Sequence, residues 1–358
     1  MKLKNKMLKK IKIGKYTVGE GQPVFIIAEA GVNHNGKLAL AKKLVDAAKS
    51  AGADAVKFQT FDAKELVTSS AGMAAYQKRN TGKSEEQLKM LERLELSADD
   101  FKVLADYCKK KGIIFLSTPH SGFGSVDILR MLNVDAYKFG SADINNFPVL
   151  EYAARLKKPI IISSGMASEA DMGAAVAAIR KAGNNDIVIF QCTTDYPSKP
   201  ADANLRVIPE FAKKFNVVAG YSDHTTGTQA SIVAVALGAH VLEKHLTLSN
   251  EMEGPDHKAS ENPANFKIYV KAVRDAEAML GSGKKVISES AKQYIPLVFK
   301  SLVVRGVVKK GELFTKANLT IKRPGTGLAP KFYVQVLGTK ATRDLVHDEL
   351  IKKGDFKK

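Results

Sequence analysis

His224 and His245 each follow a short apolar run, VVAGY from Val217 to Tyr221 and AHVLE from Ala239 to Glu243. Between the runs, Gln229 to Leu237 is apolar at helical length. Such a strand–helix–strand unit lays its strands parallel and side by side, so both imidazoles emerge at the same edge. Neutral imidazole is a common ligand of divalent ions, and Ser222, Asp223 and Glu243 supply oxygens alongside. Either histidine alone reads as a hydrogen-bonded strand-end residue. Equivalent placement on adjacent units points to one shared divalent-metal site.

Two lysines carry the next signal. Lys57 in AVKFQT and Lys138 in AYKFG interrupt apolar runs, where an unpaired ammonium is costly, so both must face inward or be paired. Ser117, Thr118, Ser141, Ser163, Ser164 and Ser222 end similar runs. Lysine charge with hydroxyl donors makes a phosphate site. Glu29, at the end of VFIIAEA, is placed to move a proton. Lewis acid, phosphate site and carboxylate together suit a phosphorylated substrate reacting at a carbonyl. Residue types alone do not separate a phosphosugar aldolase from a phosphoenolpyruvate condensation.

The elements that must position these groups alternate. Strand-like runs begin near Val24, Ala55, Ile113, Ala136, Pro159, Asp186, Val217 and Ala239, and most lead into an amphipathic or apolar helical stretch, closing with Pro263 to Leu280. About eight units of this kind predict an α/β fold, a (β/α)8 TIM barrel, whose functional groups sit where strands end and βα loops begin. Residues 1–22 predict a β-hairpin acting as a lid over one end. Residues 62–97 read as a long polar segment with a helix over Glu85 to Arg93. The barrel spans residues 1–281, a basic Gly/Ser break opens a linker over 282–297, and residues 298–358 form a second, β-rich domain of short runs and turns, including KRPGTG with Arg323 at its start.

Composition narrows the function classes. The chain has 358 residues, a formal net charge of +18, two cysteines and no tryptophan. Two cysteines make no disulfide framework and fit a cytoplasmic enzyme. The basic start, MKLKNKMLKK, is not followed by an apolar run of signal-peptide type, and no stretch suffices to cross a bilayer, so no membrane partner is expected. The lysines are scattered and no nucleic-acid module is recognisable, so no nucleic-acid partner is expected either.

In order along the chain, IIAEAGVNHNG, AVKFQTF, FLSTPH, AYKFGSADINNFP, ISSGM, GYSDHTTG, VLEKHLTL, GPDHKAS and KRPGTG resemble the sialic acid synthase family, over nearly the whole sequence. The second domain is similar to the antifreeze-like (SAF, β-clip) domain of these enzymes. The resemblance implies condensation of phosphoenolpyruvate with an N-acetylated mannosamine-type sugar. It implies His224 and His245 as ligands of Mn²⁺, with Mg²⁺ or Co²⁺ as alternatives. Lys57, Thr118, Lys138, Ser141, Ser163 and Ser222 would hold phosphoenolpyruvate, with Glu29 as acid/base. Gln59, Asp143, Tyr196 and Asp256 would touch the open-chain sugar. Arg323 would reach the sugar from the partner subunit of a domain-swapped homodimer. N-acetylmannosamine, giving N-acetylneuraminate, is the first expectation for the acceptor. A 2,4-diacetamido-2,4,6-trideoxymannose, giving N,N′-diacetyllegionaminate, is the alternative, and AAYQKRNTGKSEEQLKMLERLEL is most similar to that branch. The chain departs from the family pattern at Ala142-Asp143, where Gly-Glu is common, at His120, where Phe is common, and at Asp195, where Asn is frequent.

Overall fold

A computed structural model describes residues 9–82 and 86–358. Glu85, where the helix expected within residues 62–97 begins, and most of the basic N-terminal run lie outside the described residues. The chain forms two compact units, Met1–Gly281 and Ser282–Lys358.

The first unit opens with an antiparallel hairpin, β1 (Lys10–Ile13) and β2 (Tyr16–Gly19). Eight parallel strands follow: β3 (Phe25–Gly31), β4 (Ala55–Thr60), β5 (Ile114–Pro119), β6 (Tyr137–Phe139), β7 (Ile160–Ser163), β8 (Ile187–Cys192), β9 (Val218–Asp223) and β10 (Val241–His245). Their ladder runs β5-β4-β3-β10-β9-β8-β7-β6. This is a nearly closed TIM-like barrel whose seam lies between β5 and β6.

Period-two alternation sorts each strand's residues between two cores. Phe25, Ile27, Ala55, Ile114, Leu116, Ile161, Val188, Phe190, Val218 and Val241 point inward and pack together with Ile11, Ile13 and Val18 of the hairpin. These inward residues belong to the early halves of the strands. The hairpin therefore plugs the N-terminal end of the barrel, and the strand ends that carry polar groups open at the other. Outward residues such as Ile26, Val56, Phe139, Ile160 and Leu242 meet the helices in the larger core. Gly220 is where this packing leaves no room: a Cβ there would lie 2.4 Å from the Val241 carbonyl.

The helices start and stop as their sequences direct. Ser97 caps Ala98–Lys111 by accepting from the Asp100 N–H, with Asp100 answering in a capping box, and Gly112 ends that helix in the left-handed region. Ser168 and Asp171 do the same for Glu169–Lys181. The expected polar segment after β4 is instead three short helices, Ala63–Leu66, Ala75–Thr81 and Gln87–Glu92. They enclose a small core of Met73, Met90, Leu91 and Leu94 against Val32, Phe61 and Ala63.

In the second unit, Ser301–Val304 pairs antiparallel with Leu319–Lys322 over a core that includes Leu302, Val304, Phe314, Val336 and Ile351. Two short helices, Glu289–Lys292 and Ile295–Val298, precede it, and both group with this unit.

Candidate active site

The inward alternation that builds the barrel core continues into its chemistry. In β10, Val241 faces inward and so do Glu243 and His245. In β4 the inward set is Ala55, Lys57 and Gln59. In β9 it runs through Ser222 to His224. One cavity of about 380 Å³ at the C-terminal ends of the strands is lined by these residues and by Glu29, Thr118, Lys138, Ser141, Ser163, Tyr196 and Asp256. That volume lies in the range of small-molecule sites.

At the base of the cavity the two lysines and two glutamates form a buried charge network. Lys57 Nζ lies 2.8 Å from Glu29 Oε2 and 3.8 Å from Glu243 Oε2. Lys138 Nζ lies 3.7 Å from Glu243 Oε1. Lys57 also donates to Thr118 Oγ1 (2.9 Å), and Lys138 donates to Ser163 Oγ (2.7 Å). Ser222 donates to Glu243 Oε1 (2.9 Å). All four charged groups are almost wholly buried. Burial pushes the Glu29 carboxyl up to about 7; Lys57 opposes this and Glu243 adds to it. Burial lowers Lys138, with Lys57 adding to the effect and Glu243 opposing it. Burial would lower Lys57 too, but Glu243 and Glu29 outweigh it and raise this ammonium. Two ammonium groups over oriented hydroxyls form a receptor for a dianion, with Glu243 as their standing counter-charge.

Next to it stand the two imidazoles, their ring centroids 5.4 Å apart. Tyr196 covers both, at 4.1 Å from His224 and 5.4 Å from His245. His224 Nδ1 lies 2.7 Å from the Thr193 carbonyl, which draws the ring proton to that nitrogen and leaves Nε2 with its lone pair. His245 Nδ1 is buried without a hydrogen-bond partner. Burial holds His245 well below its ordinary value, and His224 pushes the same way, so this ring is neutral. Burial would lower His224 too, but Cys192 and the Thr193 carbonyl outweigh it and raise this ring. Two facing imidazoles fit a divalent ion, which takes the place of the proton His224 otherwise favours. No cluster of three or more His, Cys, Asp or Glu able to hold a metal occurs among the described residues. The two imidazoles are therefore the candidate donors for such an ion.

On the remaining walls, Ser141 Oγ meets Thr194 Oγ1 at 3.1 Å. Gly165 permits this approach, since a Cβ there would lie 2.3 Å from Thr194 Oγ1. Burial raises the Asp256 carboxyl to about 6. Met90, Leu91 and Leu94, with Val32, make one wall apolar.

Twelve of the residues singled out from the sequence thus line one cavity. Asp143 does not: its carboxylate turns back onto its own loop. Arg323 lies exposed in the second unit, on the turn after Leu319–Lys322. Glu243, expected only as an oxygen beside the histidines, instead joins the two lysines. Counting back by two from His245 places it on the inward face. His34 sits behind the cavity, its Nδ1 accepting from the Gly36 N–H (3.1 Å). The outward-facing Lys244 pairs with Asp223 at 3.2 Å, both fully buried behind the barrel wall.

Residues 44–285 match the NeuB family, and residues 299–357 match the SAF domain. The chain is 44% identical to the N,N′-diacetyllegionaminic acid synthase of Campylobacter jejuni, over 91% of this chain and 98% of that protein. It is 38% identical to the human N-acetylneuraminate-9-phosphate synthase, over 93% of each. The crystal structure of the N-acetylneuraminic acid synthetase of Leptospira borgpetersenii, in complex with citrate, superposes with a TM-score of 0.70 at 32% identity, covering 80% of this chain and 95% of that one. A barrel with this charge network and histidine pair, matched along its length in sequence and in fold, belongs to the NeuB family and carries a C-terminal SAF domain.

Proposed function

We propose that this enzyme condenses phosphoenolpyruvate with a 2,4-diacetamido-2,4,6-trideoxymannose and water, giving N,N′-diacetyllegionaminate and phosphate. The observation that carries the reaction class is the paired Lys57 and Lys138 ammoniums beside two facing imidazoles at one barrel mouth. The phosphate and carboxylate of phosphoenolpyruvate seat on Lys57, Lys138, Thr118, Ser141, Ser163 and Ser222. His224 and His245 would hold a divalent ion such as Mn²⁺, which would polarise the sugar's aldehyde as a Lewis acid. Gln59, Tyr196 and Asp256 line the space left for the open-chain sugar.

Carbon 3 of phosphoenolpyruvate forms the new bond to the aldehyde carbon, water adds at C2, and the C2–O bond to phosphate breaks. The aldehyde oxygen takes a proton, and Glu29, poised near neutrality, is the group to move it. Holding both substrates in one cavity supplies much of the remaining rate.

The acceptor is argued from the apolar wall. Met90, Leu91 and Leu94 suit the methyl of a 6-deoxy sugar and a second acetamido methyl. Those side chains offer no hydrogen bond to a fully hydroxylated tail, which would have to reach Gln77 or Gln87 instead. The sequence placed N-acetylmannosamine first; the wall, together with the 44% identity to a legionaminic acid synthase, favours the diacetamido sugar. Arg323 completes the sugar site from the partner subunit in this reading, and a homodimer would cover the exposed Val286, Leu297 and Phe299. Arg323→Ala then raises the sugar KM about tenfold and leaves that of phosphoenolpyruvate unchanged.

Phosphate release from phosphoenolpyruvate with Mn²⁺ tests the assignment, with the two sugars run side by side. Turnover mainly with the diacetamido sugar is expected. Turnover mainly with N-acetylmannosamine reassigns the acceptor, and release with neither removes the proposal.

A further inference from the structure

The barrel seam is bridged by side chains instead of a ladder. His120 follows β5, and Asp143 closes the 3₁₀ turn Ser141–Asp143 after β6. His120 Nδ1 lies 3.2 Å from Asp143 Oδ2. The same oxygen accepts the Gly140 N–H at 3.2 Å, and the Asp143 N–H donates to the Gly140 carbonyl at 3.1 Å. The carboxylate is thus folded back over its own turn, and His120, not Asp143, lines the cavity. A Cβ on Gly140 would lie 3.3 Å from His120 Cε1, so the ring is also pressed against this backbone.

We propose that His120 is a specificity-determining contact to the acceptor sugar, and that Asp143 is its positioning residue. The inference rests on the reading of the cavity as an amino-sugar site. Asp143 is one methylene shorter than the Glu common at this position, and the tether to Gly140 N–H keeps it out of the cavity. A carboxylate on Nδ1 draws the ring proton there and leaves Nε2 as a lone-pair acceptor. The pocket therefore offers the sugar an Nε2 acceptor on an otherwise apolar ring. That suits an amide N–H or hydroxyl flanked by a methyl group. The two departures from the family pattern, at residues 120 and 143, become one device.

Steady-state kinetics with the acceptor that the wild-type enzyme turns over test this. His120→Phe raises the acceptor KM roughly tenfold, the loss of about one hydrogen bond, and leaves the phosphoenolpyruvate KM within about twofold. Asp143→Ala has a similar effect, and Asp143→Asn, which keeps an acceptor for the ring, recovers most of it. With Phe at position 120, Asp143→Ala adds less than about twofold, because residues acting through one another are not additive. Additive losses would show that Asp143 touches the sugar directly and overturn the proposal. So would an unchanged acceptor KM in His120→Phe. An unchanged phosphoenolpyruvate KM and melting temperature guard against misfolding. Wild-type enzyme that turns over no amino sugar removes the functional reading and this inference together; turnover with unaffected variants removes this inference alone.

Discussion

Glu243 stands between two buried ammonium groups, and removing its charge isolates both. Glu243→Gln keeps the shape and an acceptor for Ser222 but leaves Lys57 with Glu29 alone and deprives Lys138 of its ion pair, with Glu29 acting on it only at longer range. Breaking a buried pair in this way costs about 3–5 kcal/mol. A dianion in the cavity would replace the missing charge. The variant should therefore melt well below the wild type in phosphate-free buffer, and added inorganic phosphate should raise its melting temperature more than it raises that of the wild type. Equal melting temperatures and equal phosphate increments would sink the counter-charge role. At this scale the sequence was a good guide wherever a polar residue interrupts an apolar run, as Lys57 and Lys138 do, because burial there demands a partner. Glu243's place between them was legible only by carrying the strand period back from His245. The His120–Asp143 contact was not legible, since it depends on two distant loops meeting across the one unpaired seam of the barrel.

The strands announced themselves through apolar runs and most helices through the amphipathic or apolar stretches that follow them, and the units fell in the order that a barrel requires. After β4 only the helix expected over Glu85 to Arg93, observed as Gln87–Glu92, was legible, and the two before it were hidden because Met73, Met90, Leu91 and Leu94 follow no single period. Their partners, Val32 and Phe61, come from the ends of other elements. Such a satellite core exists only after the barrel has brought those ends together. The hairpin is the opposite case, a local element whose apolar face, Ile11, Ile13 and Val18, matches the barrel floor. Ile13 is fully buried there, at the end away from the chemistry. Ile13→Ala should cost about 2–5 kcal/mol by transfer and cavity terms, measured by denaturant unfolding. Both substrate KM values should stay at wild-type levels. A changed KM would mean that the plug reaches the site through the barrel interior.

The molecule as a whole carries +18 formal charge at neutral pH, and lowering the pH adds to it. Buried histidines help to set where that begins to matter, His34 and His257 among them. His34 is buried behind the cavity against Phe58, at 6.0 Å between ring centroids. Burial holds it down to about 4. His257, wedged between Thr247 Oγ1 and Asn35 Oδ1, is likewise held down to about 4 by burial. In the unfolded chain each takes a proton near its ordinary value of 6.5. Below that pH the unfolded state binds protons that the folded state refuses, so stability present above 6.5 is lost as pH falls toward 4. For His34 alone the loss by pH 4 is about 3 kcal/mol. His34→Asn keeps an oxygen in place to accept the Gly36 N–H and removes the titration. Unfolding free energies measured from pH 7 to pH 4 should fall less steeply in that variant, with the difference confined to the window between 6.5 and 4. Parallel pH profiles for variant and wild type would assign the acid sensitivity to other groups, His257 and His245 among them, and the neutral histidine behind the site would then be a matter of packing alone.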